Sequence, residues 1–586
     1  MKQVILPAIL GVAALCACSK LDDAIEATPQ DRLTPETYFQ NDKQLELYVN
    51  RFYSAIVPEG TSIWREKGDA TITLPLAEEV TGQREVPETG GNWTWSSLRH
   101  INFFFENENR CPDKKAVRKY DAIARVFRAW FYFEKIKRFG DVPWYDKVLD
   151  SDDPLLRKPR DSRDVVLENM LFDLDSAITV LARTSKTKDP WHITWWSAQA
   201  LKSRICLFEG TFRKYHGLQD ADKYLEECVK ASSAIMKASG GYSLYTTGSQ
   251  PYRDMFCAAT LTPASLHKEW ILARDYDETQ KVAHTVFTYL NAPGEGRPGL
   301  TRGFVNTYLN VDGTRFTDRE DYRSLEFKDE INGRDPRLAQ TIRTTRGLNL
   351  NNCQTGYQLI KYVPDNRLST TGNCTVDLPV IRYAEVLLNY AEAKAELGTL
   401  DQNDLDQTIN KLRSRAGITG KLNLSEANAD PDPYLSSGET GYVNVTGSNK
   451  GVILEIRRER AIELVMEGFR YWDLMRWKEG QCMNHRFEGI YVPASALNTA
   501  YDVNGDGTPD VCFYTGVQPQ QGSVTYIKIE TEEGATGNTL SEGDHGSLVL
   551  FGWIDRHWNE DRDYLYPIPR EEIVLTDGAV KQNPNW

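Results

Sequence analysis

Residues 451–480 read "GVILEIRRERAIELVMEGFRYWDLMRWKEG". Glu455, Glu459, Glu463 and Glu467 stand four apart, which on a helix makes one acidic stripe, and Arg457, Arg458 and Arg460 lie close enough to pair with it. The following "GFRYWDLMRW" sets Phe469, Trp472 and Leu474 for packing, with Asp473 within reach of Arg470 or Arg476. A row of carboxylates can be catalytic, but charge pairing along a helix accounts for this spacing without chemistry. The segment is read as scaffold.

Helical signals continue upstream. "LPVIRYAEVLLNYAEAKAELG" (378–398) and "LDQTINKLRSRAG" (405–417) predict a helix pair, each closed by glycine. "ITWWSAQALKSRICLFEGTFRKY" (193–215) and "ADKYLEECVKASSAIMKA" (221–238) predict another. Leu167, Leu171, Leu174, Ile178 and Leu181 form an apolar stripe, and Ile123, Phe127, Trp130, Phe131 and Ile136 form a second, ended by Gly140 and Pro143. Near the start, Thr34 reads as an N-cap with Pro35 at the first helical position, before a face built of Leu45, Tyr48, Val49, Phe52, Tyr53 and Ile56. Paired helices with alanine where they would cross point to tetratricopeptide-like hairpins, although their spacing is too irregular for a sequence repeat. The expected fold class is mainly α: a helix-pair scaffold with a large irregular, loop-rich subdomain and few short strands, such as "KEWILARDYD" (268–277). The irregular stretches fall at roughly 240–375, 421–449 and 484–560. Long loops on a rigid scaffold are where binding concentrates.

Composition narrows the function. The 586 residues are 40% hydrophobic and 26% charged, ordinary globular usage, and the formal charge of −14 excludes nucleic acid, whose phosphates need clustered Lys and Arg. The 14 Trp and 28 Tyr are enough both for a core and for flat faces on which sugar rings stack. Beyond the leader the cysteines are Cys111, Cys206, Cys228, Cys257, Cys353, Cys374, Cys482 and Cys512, with no C-x-x-C to suggest zinc or thioredoxin-type chemistry. Cys353 and Cys374 bracket one loop-like stretch and are the one candidate disulfide; Cys206 and Cys228 sit in helical patterns and read as buried thiols.

The N-terminus carries an apolar run from Ile5 to Leu15, of signal-peptide length and too short to span a bilayer. It closes on Leu15-Cys16-Ala17-Cys18, which resembles the lipobox of bacterial lipoproteins. That resemblance implies a signal peptide over 1–17, a mature domain over 18–586 and a lipid anchor on Cys18. Asp22 and Asp23 resemble the surface-export signal of Bacteroidetes lipoproteins. The 451–480 stretch resembles the C-terminal motif of the SusD/RagB family of Bacteroidetes outer-membrane lipoproteins. "LTPETYF" (33–39), "FRAWFYFEKIKRFGDVPWYD" (127–146), "IRYAEVLLNYAEAKAELG" (381–398) and "YLYPIPREEIVLTDGAVKQNPNW" (564–586) agree in order along the chain. The resemblance implies tetratricopeptide-like helix pairs with an irregular subdomain. It also implies a SusC-like TonB-dependent transporter as partner, and nutrient capture at the outer membrane, facing outward.

A glycoside hydrolase needs two carboxyl groups facing across a cleft, about 5–9.5 Å apart, and among 83 acidic residues some pair always qualifies. No H-E-x-x-H, G-x-S-x-G or phosphate-cradling glycine loop occurs, so the chain reads as a binder rather than an enzyme. No cofactor is required; a structural calcium ion is the one candidate. "YDVNGDGTPDV" presents Asp502, Asn504, Asp506, the Thr508 carbonyl and Asp510 in EF-hand-like order around Gly507, but Phe513 stands where the bidentate Glu belongs. An Asp/Asn/Gly turn between strands explains the same residues. For the ligand, the aromatic residues of irregular segments are the candidates: Trp64, Trp93, Trp95 and Tyr289, with Arg65 and Asn92 beside them to bond hydroxyls. The expected ligand is an oligosaccharide; a peptide-capturing or adhesion protein on the same scaffold is the alternative.

Overall fold

The computed structural model describes residues 35–257, 268–345, 348–364, 369–370, 373–532 and 534–586. The leader, its lipobox with Cys18, and Thr34 lie outside the described residues. The chain is mainly helical, 43% helix against 9% strand, so helix packing sets the architecture.

Helix α1 (Asp42–Ile56) is capped by Asn41, whose side chain accepts the Gln44 N–H at 3.1 Å. The stretch expected as one helix from Pro35 is thus two, a short turn Pro35–Tyr38 and then α1. Helices α2 (Ser96–Asn107) and α3 (Lys114–Phe139) follow; Asp113 caps α3 by accepting the Lys115 and Ala116 N–H groups, and Gly140 ends it at φ +72°. Helix α4 (Arg163–Thr184) packs on α3, α5 (Trp195–His216) on α4, and α6 (Ala221–Met236) on α5. Gly210 makes the last crossing close: a Cβ there would lie 2.7 Å from the Leu225 side chain. Helix α7 (Tyr383–Glu396) packs on α5 and α6, and α9 (Lys450–Glu463) packs on both α7 and α8 (Ile409–Ala416). Helix α10 (Arg470–Arg476) returns to α5. Stacked hairpins of this kind bury each helix on two sides, which is the expected tetratricopeptide-like scaffold.

Two sequence expectations change. Residues 378–382, expected as the start of a helix, form strand β2 (Leu378–Arg382), paired antiparallel with β1 (Trp270–Arg274). Pro379 and the β-branched Val380 and Ile381 disfavour helix there, and the edge of β1 supplies the partner. No disulfide joins Cys353 to Cys374: all eight described cysteines are free and buried. The two thiols have separate surroundings, Cys353 3.4 Å from the Thr355 hydroxyl and Cys374 on a backbone bridge to His284. Cys206 and Cys228 are buried thiols between α5, α6 and α7, as expected.

The acidic stripe of 451–480 is buried, and its partners come from far along the chain. Glu455 pairs with Arg413 at 2.7 Å, Glu459 with Arg337 at 2.6 Å, and Glu467 with Lys361 and Arg382 at 2.7 Å each. Glu463 holds Arg337 at 2.9 Å, Arg382 at 2.6 Å and also Arg415. Of the local arginines, Arg458 keeps a pairing within the stripe, to Glu455 at 2.8 Å, and also reaches Asp432, whereas Arg457 turns to Glu479 at 3.2 Å and Arg460 to Asp473 at 2.8 Å. Glu467 is not on the helix at all, since α9 ends at Glu463 and Met466 turns with φ +61°. Charges this deep persist only when every one is paired.

Candidate functional site

The three irregular stretches converge on one cleft of about 700 Å³. Its walls come from residues 301–324, 434–442 and 481–491 together with 541–547. Arg302, 1% exposed, ties those walls together, donating to the Ser547 hydroxyl and to the Tyr322 and Leu325 carbonyls, each at 3.2 Å. Tyr434 donates to the Gly303 carbonyl at 3.0 Å. Asp432, whose carboxylate accepts the Tyr434 N–H at 2.7 Å, is held by Arg458 of α9, so the core charge network reaches the cleft wall. On the other side Arg470 clamps Asp69 through two 2.7 Å bonds and donates to the Tyr442 hydroxyl at 2.7 Å. Burial would raise the Asp69 pKa, but the Arg470 charge overrides it and holds the carboxyl ionised, below its ordinary value.

Tyr491 presents a half-buried ring to the cleft from strand β3 (Glu488–Val492), where it pairs with Ser547 of β4 (Gly546–Val549). Its ring lies 6.4 Å from that of His545 and 5.7 Å from the Arg302 guanidinium carbon. Asn484 and Arg486 line both this cleft and a shallower depression of about 730 Å³. Trp553, 38% exposed, lines that depression, its ring 5.5 Å from Phe551. Arg556 fixes the adjoining backbone by donating to the Met483 and His485 carbonyls at 2.8 Å. Exposed or half-exposed rings beside amide, hydroxyl and guanidinium groups suit a hydroxyl-rich ligand with apolar faces.

None of the six residues expected to bind ligand lines this cleft. Trp64 is 2% exposed and packs against the His284 ring at 5.0 Å; Trp93 is 4% exposed and stands edge-on to Phe139 at 4.9 Å. Tyr289 is 3% exposed and covered by the Arg65 guanidinium at 4.9 Å. These three faces are used by the core and are closed to a sugar ring. Trp95 is half-buried and, with Trp93, borders an apolar hollow of about 270 Å³. Arg65 and Asn92 are exposed and line a separate cavity of about 430 Å³. Sequence reading missed Tyr491 and Trp553. The available signal was their place inside the irregular 484–560 stretch, and for Trp553 a flanking glycine in "FGWID".

The 502–510 loop is a set of Asx turns. Asp502 accepts the Gly505 and Gly507 N–H groups at 2.8 and 2.7 Å, Asn504 the Asp506 N–H at 3.1 Å, Asp506 the Thr508 N–H at 2.9 Å, and Asp510 the Val503 N–H at 3.0 Å. Burial, then the charges of Asp502 and Asp506, push the Asp510 pKa up. Among the described residues no Lys or Arg stands within ion-pair distance of these carboxylates. Among the described residues, the trio of metal-type ligand atoms lying within 4.8 Å of one another is elsewhere, at Asp69, Cys482 and His485. There Arg470 already takes both Asp69 oxygens, which disfavours a cation.

Two family models match the chain: "SusD family" over residues 344–586 and "Starch-binding associating with outer membrane" over residues 80–191. A SusD-like protein of Formosa agariphila is 22% identical over 506 residues, spanning 80% of this chain and 90% of that one. A second from the same organism is 20% identical over 641 residues and covers 100% of both chains. Among solved structures, a SusD-like protein of Bacteroides fragilis superposes with a TM-score of 0.67 at 22% identity, over 96% of this chain and 100% of that one. A SusD-like carbohydrate binding protein of the same species gives 0.67 at 19% identity, over 93% and 99%. These likenesses establish the shared fold.

Proposed function

This chain belongs to the SusD/RagB family, and on that premise we propose that it is an outward-facing lipoprotein of the outer membrane. In this reading it captures an oligosaccharide and passes it to a SusC-like TonB-dependent transporter. The observation that carries the reading is the cleft on which all three irregular stretches converge, with Tyr491 in it and Trp553 on the adjoining depression. The family descriptions, which name starch binding and the outer membrane, support the ligand class and the location. Among the described residues no helix is long and apolar enough to cross a membrane, and the proposed attachment is the lipid on Cys18.

Binding is proposed without catalysis. A glycosidic general acid must hold a proton near neutral pH; Asp69, one of four carboxyl groups that line the cleft with Glu439, Glu488 and Glu542, is clamped by Arg470 and held ionised, so it does not fill that role. The mature protein titrated with a panel of neutral and acidic oligosaccharides should bind at least one and return it intact. Purification from detergent-solubilised outer membrane should bring a large β-barrel with it. Binding of peptides and of no glycan would favour the peptide-capturing alternative, and shortened sugars would make the protein an enzyme.

Calcium is proposed for the 502–510 loop, because Asp502, Asp506 and Asp510 follow one another in EF-hand-like order there and, among the described residues, have no basic partner within ion-pair distance. The expected outcome is a higher melting temperature in calcium than in chelator, an increment that Asp502→Ala with Asp506→Ala removes. Equal melting of the wild type in both would make the loop a turn alone.

A further inference from the structure

The 430 Å³ cavity that Arg65 and Asn92 line is cationic in a chain whose net charge is −14. Helix α3 sends Lys135 and Arg138, three residues apart and therefore on one face, into it. Lys135 is 7% exposed; its ammonium donates to the Asn92 carbonyl and lies 5.1 Å from the Phe131 ring centre and 5.4 Å from that of Trp95. Arg138 donates to the Gly91 carbonyl at 3.2 Å and stacks over the Tyr566 ring at 3.5 Å. Among the described residues neither has a carboxylate within ion-pair distance.

The nearby carboxylates are all engaged elsewhere. Glu66 accepts the backbone N–H groups of Met466, Phe469 and Arg470 at 2.9, 3.2 and 3.1 Å. Burial, opposed by those bonds, raises its pKa to about 7, so its negative charge is reduced near neutrality. Glu134 pairs with Lys137 at 2.8 Å, and Lys67 at the rim is taken by Glu79 at 2.6 Å. Arg65 has only Glu295, at 3.8 Å, with both side chains about half exposed. Elsewhere on the same helix Arg128 is satisfied by Asp173 at 2.6 Å. In the C-terminal half of α3, Arg128 and Lys137 are paired, and Lys135 and Arg138, which line the cavity, are not.

We infer that this cavity binds an anionic group carried on the glycan, a carboxylate or a sulfate, between Lys135 and Arg138. The inference rests on the proposed function and adds an acidic saccharide as the ligand class. The cavity lies within the usual range of small-ligand sites, about 300–1,000 Å³, and the half-buried Trp472 ring that lines it offers an apolar face to a sugar. The overall negative charge does not forbid this, because screening confines exposed charges to about 8 Å at physiological salt, leaving the local cations to set the potential. Burial first, and then the Arg138 charge, push the Lys135 pKa down to about 7. An anion beside it favours the charged form, so binding draws in a proton near neutral pH.

The test is calorimetry of the mature full-length protein with oligogalacturonate, a sulfated oligosaccharide of equal length, maltohexaose and inorganic sulfate. At least one acidic oligosaccharide should bind tenfold or more tightly than maltohexaose, and its affinity should fall as NaCl rises from about 50 mM to about 0.5 M. Lys135→Met and Arg138→Gln should each cost that ligand tenfold or more and leave maltohexaose unchanged, while Lys135→Arg retains binding. The salt series needs no variant, so it stands even if a substitution impairs folding. Equal affinity for neutral and acidic oligomers, without salt dependence, overturns the inference and leaves the proposed function intact. Binding of no saccharide by the wild type overturns both. Inorganic sulfate binding as tightly as the sulfated oligosaccharide overturns the assignment to a glycan-borne group.

Discussion

Replacing Glu463 by alanine should destabilise this protein by about 3–5 kcal/mol, the cost of stranding buried charges. Its two oxygens serve Arg337, Arg382 and Arg415, and all four side chains are 1% exposed or less. No water can take over, and each arginine loses part of its compensation at once. Glu463→Gln keeps the shape and loses the charge, so it should fall between wild type and alanine. The control is the exposed Lys43–Glu46 pair, whose removal should cost about 0–1 kcal/mol. Urea denaturation reads all three, and a Glu463→Ala loss no larger than the control's would show that the network is not what holds α9 in place. The same chemistry fixes an acid limit. Burial would raise the Glu463 and Glu392 pKa values, but the arginines around each override it, lowering Glu463 far below its ordinary range and Glu392 to about 2. A carboxyl whose folded value lies below its unfolded value of about 4.3 adds stability above that pH and loses it as pH falls. Stability should therefore decline from about pH 4.5 toward pH 2, and a flat profile there would contradict the network.

The aromatic rings should divide into two classes. Trp64→Ala should cost about 3–5 kcal/mol of stability, because the ring is buried against His284 and so close to Gly60 that a Cβ there would sit 2.4 Å from it. Tyr491→Ala and Trp553→Ala should leave melting nearly unchanged and weaken glycan binding. A ring face removing roughly 60 Å² of apolar surface from water contributes about 1.5 kcal/mol, about tenfold in affinity. Thermal melts and titrations on the same preparations separate the classes. Unchanged glycan affinity in both Tyr491→Ala and Trp553→Ala would remove the cleft from the binding reading.

The sequence alone determined the scaffold. Apolar positions at three- and four-residue steps place α3 to α6 within a few residues of their observed ends, because one-sided hydrophobic periodicity and stops such as Gly140 are local facts. It also located the three irregular stretches and the buried thiols Cys206 and Cys228. The tertiary structure alone decided which aromatic side chains face solvent. Trp64 and Trp553 both lie in irregular, glycine-flanked sequence, and only what packs over each, His284 in one case and nothing over much of the ring in the other, tells them apart. It decided the partners of the 455–467 carboxylates too: four-residue spacing is consistent with local pairing, but burial brought in Arg337, Arg382, Arg413 and Arg415. Strand β2 came from the same source, since residues 378–382 take the strand form where the edge of β1 receives them. Periodicity is encoded in neighbours along the chain; exposure and charge partnership are set by residues that only folding brings together.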